Sequence, residues 1–187
     1  MQIVGITGGI GSGKSTIAQA LRQRGFSVYD CDAEAKRIIV EDEAVRKAIV
    51  GLLGEEAYIY HLSSIIYNTT YVAQRVFEDA RLREQLNAIV HPAVEQDIRV
   101  KQPDFVESAI LYESGLDKLC KKVIVVDAPE EIRLARTINR NYDVRARMRA
   151  QERVKSQESR VDSNTLLLCN DGKESIEALV EKITHWM

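Results

Sequence analysis

The sequence predicts a doubly wound α/β fold with a parallel sheet, and three observations lead to this prediction. Five short runs rich in apolar residues, separated by helix-like segments, lie at 2–7, 26–32, 105–111, 122–128 and 165–170. The apolar residues within each run are continuous and do not alternate with polar ones, which is typical of strands covered on both faces. With 187 residues, 45% of them hydrophobic, the chain can form one compact domain but not two ordinary ones.

The elements alternate between strand and helix, as this fold requires. After the first strand, Ile17, Ala20 and Leu21 recur at helical spacing. Gly25 is well placed to end that helix, because glycine readily adopts the backbone conformation that follows helix ends. Near the other end of the chain, an apolar stripe at helical spacing predicts a closing helix. Its members are Ile176, Leu179, Val180 and Ile183.

The interval 33–101, which follows the second strand, predicts a helical insertion. Apolar residues recur there at helical spacing in two groups. They are Val72, Val76 and Ala80, then Leu82, Leu86, Ile89 and Val90. Within this interval, segment 58–70 mixes polar and aromatic residues without a clear period, so it predicts no particular element.

Charge and composition argue against several kinds of partner. The formal net charge is −2 at pH 7, so no overall basic field indicates a nucleic-acid or anionic-membrane partner. The N-terminal sequence has no basic and apolar leader pattern, and we expect a soluble, cytoplasmic protein. Cys31, Cys120 and Cys169 form no Cys-x-x-Cys pair, which predicts buried or half-buried free thiols.

A phosphate-binding loop lies at GITGGIGSGKST, residues 5–16. Gly8, four further residues and then Gly13-Lys14-Ser15 make the Walker A pattern, between a predicted strand and a predicted helix. Glycines let the backbone curl so that its N–H groups cradle phosphates, and the helix N-terminus adds positive potential. We expect Lys14 to bridge the β- and γ-phosphates and the Ser15 hydroxyl to ligate Mg²⁺.

The loop alone is compatible with a kinase, a GTPase, a motor ATPase or a regulatory ATP-binding module. The chain has no Asn-Lys-x-Asp guanine signature, and larger ATPases need far more chain. Elimination therefore favours a small-molecule kinase.

Two acidic residues, Asp30 and Asp32, are predicted at the carboxyl end of the second strand, the edge of an α/β sheet where ligands bind. Residues two apart on a strand point the same way. One carboxylate could accept a proton from an incoming hydroxyl or hold a metal through water. Asp30 alone could instead cap the next helix.

The sequence VIVVD resembles a Walker B strand, but Asp127 precedes a helix-start sequence, so we interpret Asp127 as structural.

A basic stretch runs from Arg133 to Arg160, with nine Arg or Lys residues against three acids. Arg136 and Arg140 are one helical turn apart, as are Arg145 and Arg149. Such side chains can neutralise the γ-phosphoryl group from a closing segment, although most of these arginines fit a solvated helix face. The stretch has almost no aromatic residues, which disfavours a nucleic-acid surface.

The order of several motifs along the chain resembles the dephospho-coenzyme A kinase family. These are GITGGIGSGKST, YDCDAEAKRII, LNAIVHPAV, LYESGLDKL, KVIVVDAPEE, RTINRN, RMRAQ and CNDG. The resemblance implies transfer of the γ-phosphate of ATP to the ribose 3'-hydroxyl of dephospho-coenzyme A, the final step of coenzyme A synthesis. It also implies a three-layer P-loop kinase fold with five parallel strands in the order 2-3-1-4-5. The expected parts of this single domain are a core at about 1–32, 102–135 and 161–187, a helical substrate-binding insertion at about 33–101, and a lid at about 136–160.

The resemblance also implies roles for individual residues. The catalytic residues are expected to be Lys14, Asp32 as general base, Arg136 and Arg140. The expected ATP-binding residues are Gly9, Gly11, Ser12, Gly13, Lys14, Ser15, Thr16, Gln151, Asn170 and Gly172, with Ser15 on Mg²⁺. The expected substrate-binding residues are Thr7, Asp32, His91 and Glu113. For His91-Pro92, a proline at the start of a helix with a hydrogen-bonding neighbour is the structural alternative.

One segment departs from the family pattern. The chain reads AYIYHLSSIIYNTT at 57–70, with Asn68 roughly where an arginine is common in the family. The expected partners are ATP and dephospho-coenzyme A, without nucleic acid or membrane, and the expected state is a monomer or weak homo-oligomer. Two alternatives stay open: a nucleoside or nucleoside-monophosphate kinase, and a non-catalytic ATP-sensing module.

Overall fold

The computed structural model describes residues 2–137 and 163–187. Two compact units make up the chain: unit 1 comprises residues 1–30 and 102–187, and unit 2 comprises residues 31–101. The predicted lid at 136–160 lies outside the described residues, except for Arg136 and Thr137. No helix in the described part of the chain is both long and apolar enough to cross a membrane.

Unit 1 is built on a five-stranded parallel sheet. Numbered along the whole chain, its strands are β1 (Val4–Gly8), β2 (Val28–Asp30), β5 (Phe105–Glu107), β6 (Lys122–Asp127) and β7 (Thr165–Cys169). They are arranged β2-β5-β1-β6-β7, and every pair is parallel. Counted among themselves, these strands have the order 2-3-1-4-5, which confirms the expected fold. Their carboxyl ends lie together at one edge of the sheet.

Three helices belong to the described part of unit 1, and the first and last of them pack apolar faces on this sheet. They are α1 (Lys14–Gln23), α6 (Glu130–Thr137) and α7 (Ile176–Trp186), with a short 3₁₀ turn at Leu116–Leu119. The predicted apolar stripe of the closing helix is confirmed, since Leu179, Val180 and Ile183 are buried in the core. The other members of this core include Ile6, Ile17, Leu21, Phe105, Ile124 and Val126.

Unit 2 is mainly helical but includes one hairpin. Its helices are α2 (Cys31–Glu41), α3 (Glu43–Leu53), α4 (Thr69–Glu78) and α5 (Ala80–Lys101), with a 3₁₀ turn at Glu55–Ala57. Helix α5 packs against the other three helices. The core of the unit is aliphatic and includes Ile38, Val45, Ile49, Leu53, Val90, Val94 and Ile98.

The segment for which the sequence predicts no element forms an antiparallel hairpin of β3 (Tyr58–His61) and β4 (Ser64–Tyr67). Aromatic and β-branched side chains favour such strands. The hydroxyl of Tyr58 donates a hydrogen bond to the Ile39 carbonyl at 2.9 Å. Asn68 accepts from the Tyr71 N–H at 3.2 Å as the N-cap of α4 and donates to the Glu56 carbonyl at 3.0 Å. Asn68 therefore has a structural role at the position where the chain departs from the family pattern.

Two predicted strands end earlier than expected. The prediction that Asp30 and Asp32 lie on one strand is wrong: β2 ends at Asp30, and Asp32 lies in the first turn of α2. The run after Cys31 is rich in Ala, Glu, Lys and Arg, which favour helix over strand. The strand predicted at 105–111 ends at Glu107, where the Ser108 hydroxyl accepts from the Ile110 N–H at 3.2 Å in a local turn.

The cysteine prediction is confirmed in part. All three cysteines are free thiols. Cys31 is buried and Cys120 half-buried, but Cys169, the last residue of β7, is exposed. It ends an edge strand, which has only one neighbour in the sheet.

Candidate active site

The loop between β1 and α1 is shaped to bind an anion. Gly13 is the N-cap of α1 and has no side chain that could cap the first turn of the helix. The backbone has positive φ at Gly8, Gly11 and Gly13. A Cβ at Gly8 would lie 2.0 Å from the Val126 carbonyl oxygen, so only glycine fits where β1 enters the loop. The loop and the helix N-terminus together fit the phosphates of a nucleotide.

Lys14 and Ser15 of the Walker motif form hydrogen bonds with different partners. Lys14 Nζ donates to the Gly9 carbonyl at 3.4 Å, across the loop. The Ser15 hydroxyl donates to Glu107 Oε1 at 2.8 Å. Glu107 is the last residue of β5, where it pairs with Ile6 of β1 and Asp30 of β2 in register. The central strands therefore place a carboxylate directly beside the loop.

Glu107 has an unusual environment for a carboxylate. Only 6% of the residue is exposed, and burial raises its pKa above the ordinary value. The hydrogen bond from Ser15 lowers this pKa, whereas the nearby charge of Asp30 raises it. Its second oxygen, Oε2, is buried without a hydrogen-bond partner in the described residues. An orphaned carboxylate oxygen beside a serine hydroxyl is suited to a divalent cation or to water bound to one.

These residues fit Mg²⁺ only as part of a larger ligand set. Within residues 2–137 and 163–187, no cluster of three or more His, Cys, Asp or Glu side chains could hold a metal ion. Protein Mg²⁺ sites commonly combine one or two carboxylates with water and substrate phosphates. Ser15 and Glu107 supply that kind of partial set next to the phosphate loop.

The sequence did not indicate Glu107, because Asp127 is the acid whose surrounding run resembles a Walker B strand. Asp127 ends β6 and is exposed. Glu107 fell inside a strand predicted to continue to residue 111, and so did not mark a strand end. The signal in the sequence that could indicate Glu107 is its position within an apolar run. A buried strand rarely contains an acidic side chain unless that side chain has a partner or a function.

Two further side chains contact the loop through its carbonyl groups. Arg136 Nη1 donates to the carbonyl oxygens of Gly11 and Ser12 at 3.4 and 3.3 Å. Arg136 Nη2 donates to Asn170 Oδ1 at 3.3 Å, and Asn170 Nδ2 donates to the Ser12 oxygen at 2.9 Å. Helix α6 and the residue after β7 thus support the phosphate loop jointly.

The remaining expected residues of unit 1 are placed as follows. Thr7 is buried within β1, with 6% of its surface exposed. Glu113 is exposed in the turn region after β5, and Thr16 is exposed on α1. Gly172 has a positive φ of 85° two residues after the buried Asn170. Arg140 and Gln151 lie outside the described residues.

Unit 2 carries two of the expected residues. Asp32 is exposed in the first turn of α2. His91 is half-buried on α5, and burial lowers its pKa below the ordinary value, which favours the neutral imidazole. The structural alternative for His91-Pro92, a proline at the start of a helix, is wrong, because Pro92 lies inside α5. The apolar spacing on both sides of Pro92 outweighs its cost to the helix, since Val90, Val94 and Ile98 are buried.

Comparisons with known proteins identify a family and a fold. A family model described as dephospho-CoA kinase matches residues 2–175. A dephospho-CoA kinase of Porphyromonas gingivalis is 40% identical over 83% of this chain and 80% of that protein. A dephospho-CoA kinase of Fusobacterium nucleatum is 35% identical over 100% of this chain and 97% of that protein. The structure of dephospho-CoA kinase from Campylobacter jejuni, 20% identical, has the same fold with a TM-score of 0.70 over 98% of this chain and 95% of that one.

Proposed function

Because the chain belongs to the dephospho-CoA kinase family, we propose that it transfers the γ-phosphoryl group of ATP to the ribose 3'-hydroxyl of dephospho-coenzyme A. This ATP-dependent reaction on an alcohol acceptor is the final step of coenzyme A biosynthesis. The observation that carries the proposal within the structure is the phosphate loop whose Ser15 hydroxyl is bound to the buried Glu107. Neither alternative function gains support from the comparisons.

Unit 1 is proposed to bind ATP and to stabilise the transferring group. Lys14 would neutralise charge on the β- and γ-phosphates. Ser15 and Glu107 would hold Mg²⁺, which, when bound, neutralises charge on the phosphate oxygens. The glycines of the loop, with Ser12 and Thr16, would bind the phosphates through backbone and hydroxyl donors. Gln151 and Gly172 are proposed to lie around the adenine, where the family resemblance also implies Asn170.

The acceptor is proposed to depend on Asp32 and on the rest of unit 2. Asp32 matches the second acid of the family motif and lies two residues after Asp30, the end of β2, which pairs with Glu107. Its exposed carboxylate can orient a hydroxyl and accept its proton. His91, with a pKa lowered by burial, would offer a neutral imidazole for hydrogen bonding to the substrate. Thr7 and Glu113 are further proposed contacts, and residues 33–101 are the proposed substrate-binding insertion.

Residues 136–160 are proposed to act as a lid that excludes water around the transferring group. Support comes from the local excess of positive charge in the sequence, which suits a segment that closes over phosphates. Arg140, in this segment, is proposed to contact the γ-phosphoryl group.

The reaction can be tested with purified protein, ATP and Mg²⁺ across several acceptors. We expect ADP release to depend on dephospho-coenzyme A, and the product to carry a new phosphate at the 3'-oxygen, detected by phosphorus NMR. Turnover with a nucleoside monophosphate but not with dephospho-coenzyme A would favour the alternative kinase. ATP binding without turnover on any acceptor would favour the sensing module.

The Glu107→Gln variant tests the proposed metal role. Gln keeps an oxygen that can accept from Ser15 but loses the negative charge, so the Mg²⁺ concentration for half-maximal activity should rise by about tenfold. The folded state should not lose stability. Burial raises the pKa of Glu107, so its ionised form destabilises the fold as pH rises through that pKa, and Gln removes this effect.

Activity titrated with Mg²⁺, together with Tm at pH 7, provides the measurement. The matched control is Glu181→Gln, which changes an exposed carboxylate of the same unit and should leave the Mg²⁺ requirement unchanged. An unchanged Mg²⁺ requirement in Glu107→Gln would show that Glu107 positions Ser15 without holding the ion.

We propose that the protein acts in the cytoplasm as a monomer or weak homo-oligomer. Its three free thiols suit a reducing compartment. The loop, Glu107, Arg136 and Asn170 all come from one chain, so this part of the site needs no second copy. Light scattering at micromolar and higher concentrations measures the mass directly.

A further inference from the structure

Two side chains from distant elements hold the same peptide group of the phosphate loop. The carbonyl oxygen of Ser12 accepts from both Arg136 Nη1 and Asn170 Nδ2, at 3.3 and 2.9 Å. These donors also bind each other, through Arg136 Nη2 and Asn170 Oδ1 at 3.3 Å. Ser12 is completely buried, and its own hydroxyl has no hydrogen-bond partner in the part of the chain that the structure describes. Its main-chain carbonyl is therefore the group that α6 and the end of β7 hold.

The Ser12 carbonyl belongs to the same planar peptide as the Gly13 N–H. In a trans peptide the C=O and N–H groups point in opposite directions, so fixing the carbonyl also fixes the direction of the amide. A carbonyl that accepts hydrogen bonds, one of them from a charged guanidinium, polarises its peptide and makes the N–H a stronger donor. The Ser12 N–H already donates to the Gly9 carbonyl at 3.1 Å. The Gly13 N–H is therefore the polarised donor in this part of the loop that can bind a phosphate.

The packing around Gly13 agrees with this interpretation. A Cβ at Gly13 would lie 2.2 Å from Asn170 Nδ2 and 3.6 Å from Arg136 Nη1. The Asn170 amide thus occupies space that only glycine leaves open. Asn170 itself is 4% exposed, so it reaches the loop from inside the protein. The glycine is required here for close approach as well as for its φ of 96°.

We propose that Arg136 and Asn170 are positioning residues for the phosphate loop: together they hold the Ser12 carbonyl and thereby orient and polarise the Gly13 N–H for a nucleotide diphosphate. This differs from the role expected for Arg136 on the transferring γ-phosphoryl group and from the role of Asn170 at the adenine. It rests on the proposed function only in requiring that the loop binds a nucleotide.

The two roles of Arg136 predict different consequences of its replacement. A positioning residue acts on the β-phosphate in substrate and transition state alike, so its loss should weaken ground-state binding. A residue that contacts only the transferring group should lower kcat with little change in the affinity for ADP. Binding of ADP, pyrophosphate and adenosine to the full-length protein in the presence of Mg²⁺ separates these cases.

We expect Arg136→Met to raise the Kd for ADP and for pyrophosphate by about tenfold each, the effect of losing a hydrogen bond to a charged group. Asn170→Ala should behave similarly, and neither should change adenosine binding. Since both side chains act on one carbonyl, the double variant should lose much less than the product of the two single effects. In ¹H–¹⁵N NMR spectra, the Gly13 amide should shift upfield in each variant as its polarisation falls.

The control is Arg24→Met, because Arg24 is an exposed arginine of the same unit that contacts Glu177 and Glu181. It should bind ADP as the wild type does. If Asn170→Ala does not fold, Arg136→Met with its Gly13 amide shift decides the question. Wild-type affinity for ADP and pyrophosphate in Arg136→Met would overturn the proposal, as would equal weakening of adenosine and ADP binding in Asn170→Ala.

The result of this binding test does not depend on which acceptor the protein phosphorylates. A wild-type protein that binds ADP and pyrophosphate but does not phosphorylate dephospho-coenzyme A would contradict the proposed function and leave the positioning test valid. A protein that phosphorylates dephospho-coenzyme A while Arg136→Met keeps wild-type ADP affinity would contradict only the positioning role.

Discussion

Replacement of Lys14 by alanine should lower kcat by about a thousandfold, the scale for loss of a donor that stabilises transition-state charge. Lys14 is the first residue of α1, and its ammonium group reaches back across the phosphate loop to the Gly9 carbonyl. In the transition state negative charge moves onto the oxygen of the leaving ADP, so a cation held at the loop contributes most there. The side chain lies outside the apolar core, and Tm should change little.

Single-turnover kinetics with ATP and dephospho-coenzyme A, alongside thermal melting, measures both effects. The matched control is Lys182→Ala, which removes an exposed lysine of α7 that pairs with Glu174. It should keep the wild-type rate. A native melting curve with a near wild-type rate in Lys14→Ala would show that the loop is not part of the catalytic site.

Asp32→Asn should reduce kcat by about a hundredfold or more, which is the scale for loss of a general base. An alcohol is a weak nucleophile at neutral pH, and the loose transition state of phosphoryl transfer requires alignment of the hydroxyl as much as removal of its proton. The amide has the size of the carboxylate but cannot accept the proton. ADP should bind with unchanged affinity, because the proposed role of Asp32 concerns the acceptor.

The control for this variant is Asp42→Asn. Asp42 is the N-cap of α3 in the same unit and accepts from the Val45 N–H at 3.0 Å. Asparagine caps helices about as well as aspartate, so activity and Tm should both be retained. If Asp32→Asn raised only the KM for dephospho-coenzyme A and left kcat unchanged, Asp32 would be a binding residue and another group would accept the proton.

The parallel sheet and the position of the phosphate loop were predictable from local sequence patterns, whereas the order of the strands was implied only by the resemblance to the family. Continuous apolar runs mark buried strands, and the glycine pattern before Lys14 is local, so both signals lie in adjacent residues. Strand ends were less predictable. The run that ends at Asp32 predicts a strand there, whereas the helix-forming residues that follow determine the local structure.

The hairpin at 58–67 shows a similar limit. Its aromatic and β-branched residues favour strands, but a short hairpin is stable only with support from other elements. Part of that support is the hydrogen bond from the Tyr58 hydroxyl to the Ile39 carbonyl on α2. Nothing in segment 58–70 itself indicates this contact.

The sequence by itself determined the fold class, the phosphate loop and the family, because each of these depends on residues that are close together or on motifs in a recognisable order. Only the tertiary structure identified Glu107, which lies 92 residues from its partner Ser15. The family resemblance indicated Arg136 and Asn170, but only the structure shows that they bind the Ser12 carbonyl, 124 and 158 residues away along the chain. The physical reason is that a parallel sheet brings the carboxyl ends of distant strands to one edge, where side chains meet that no local pattern relates.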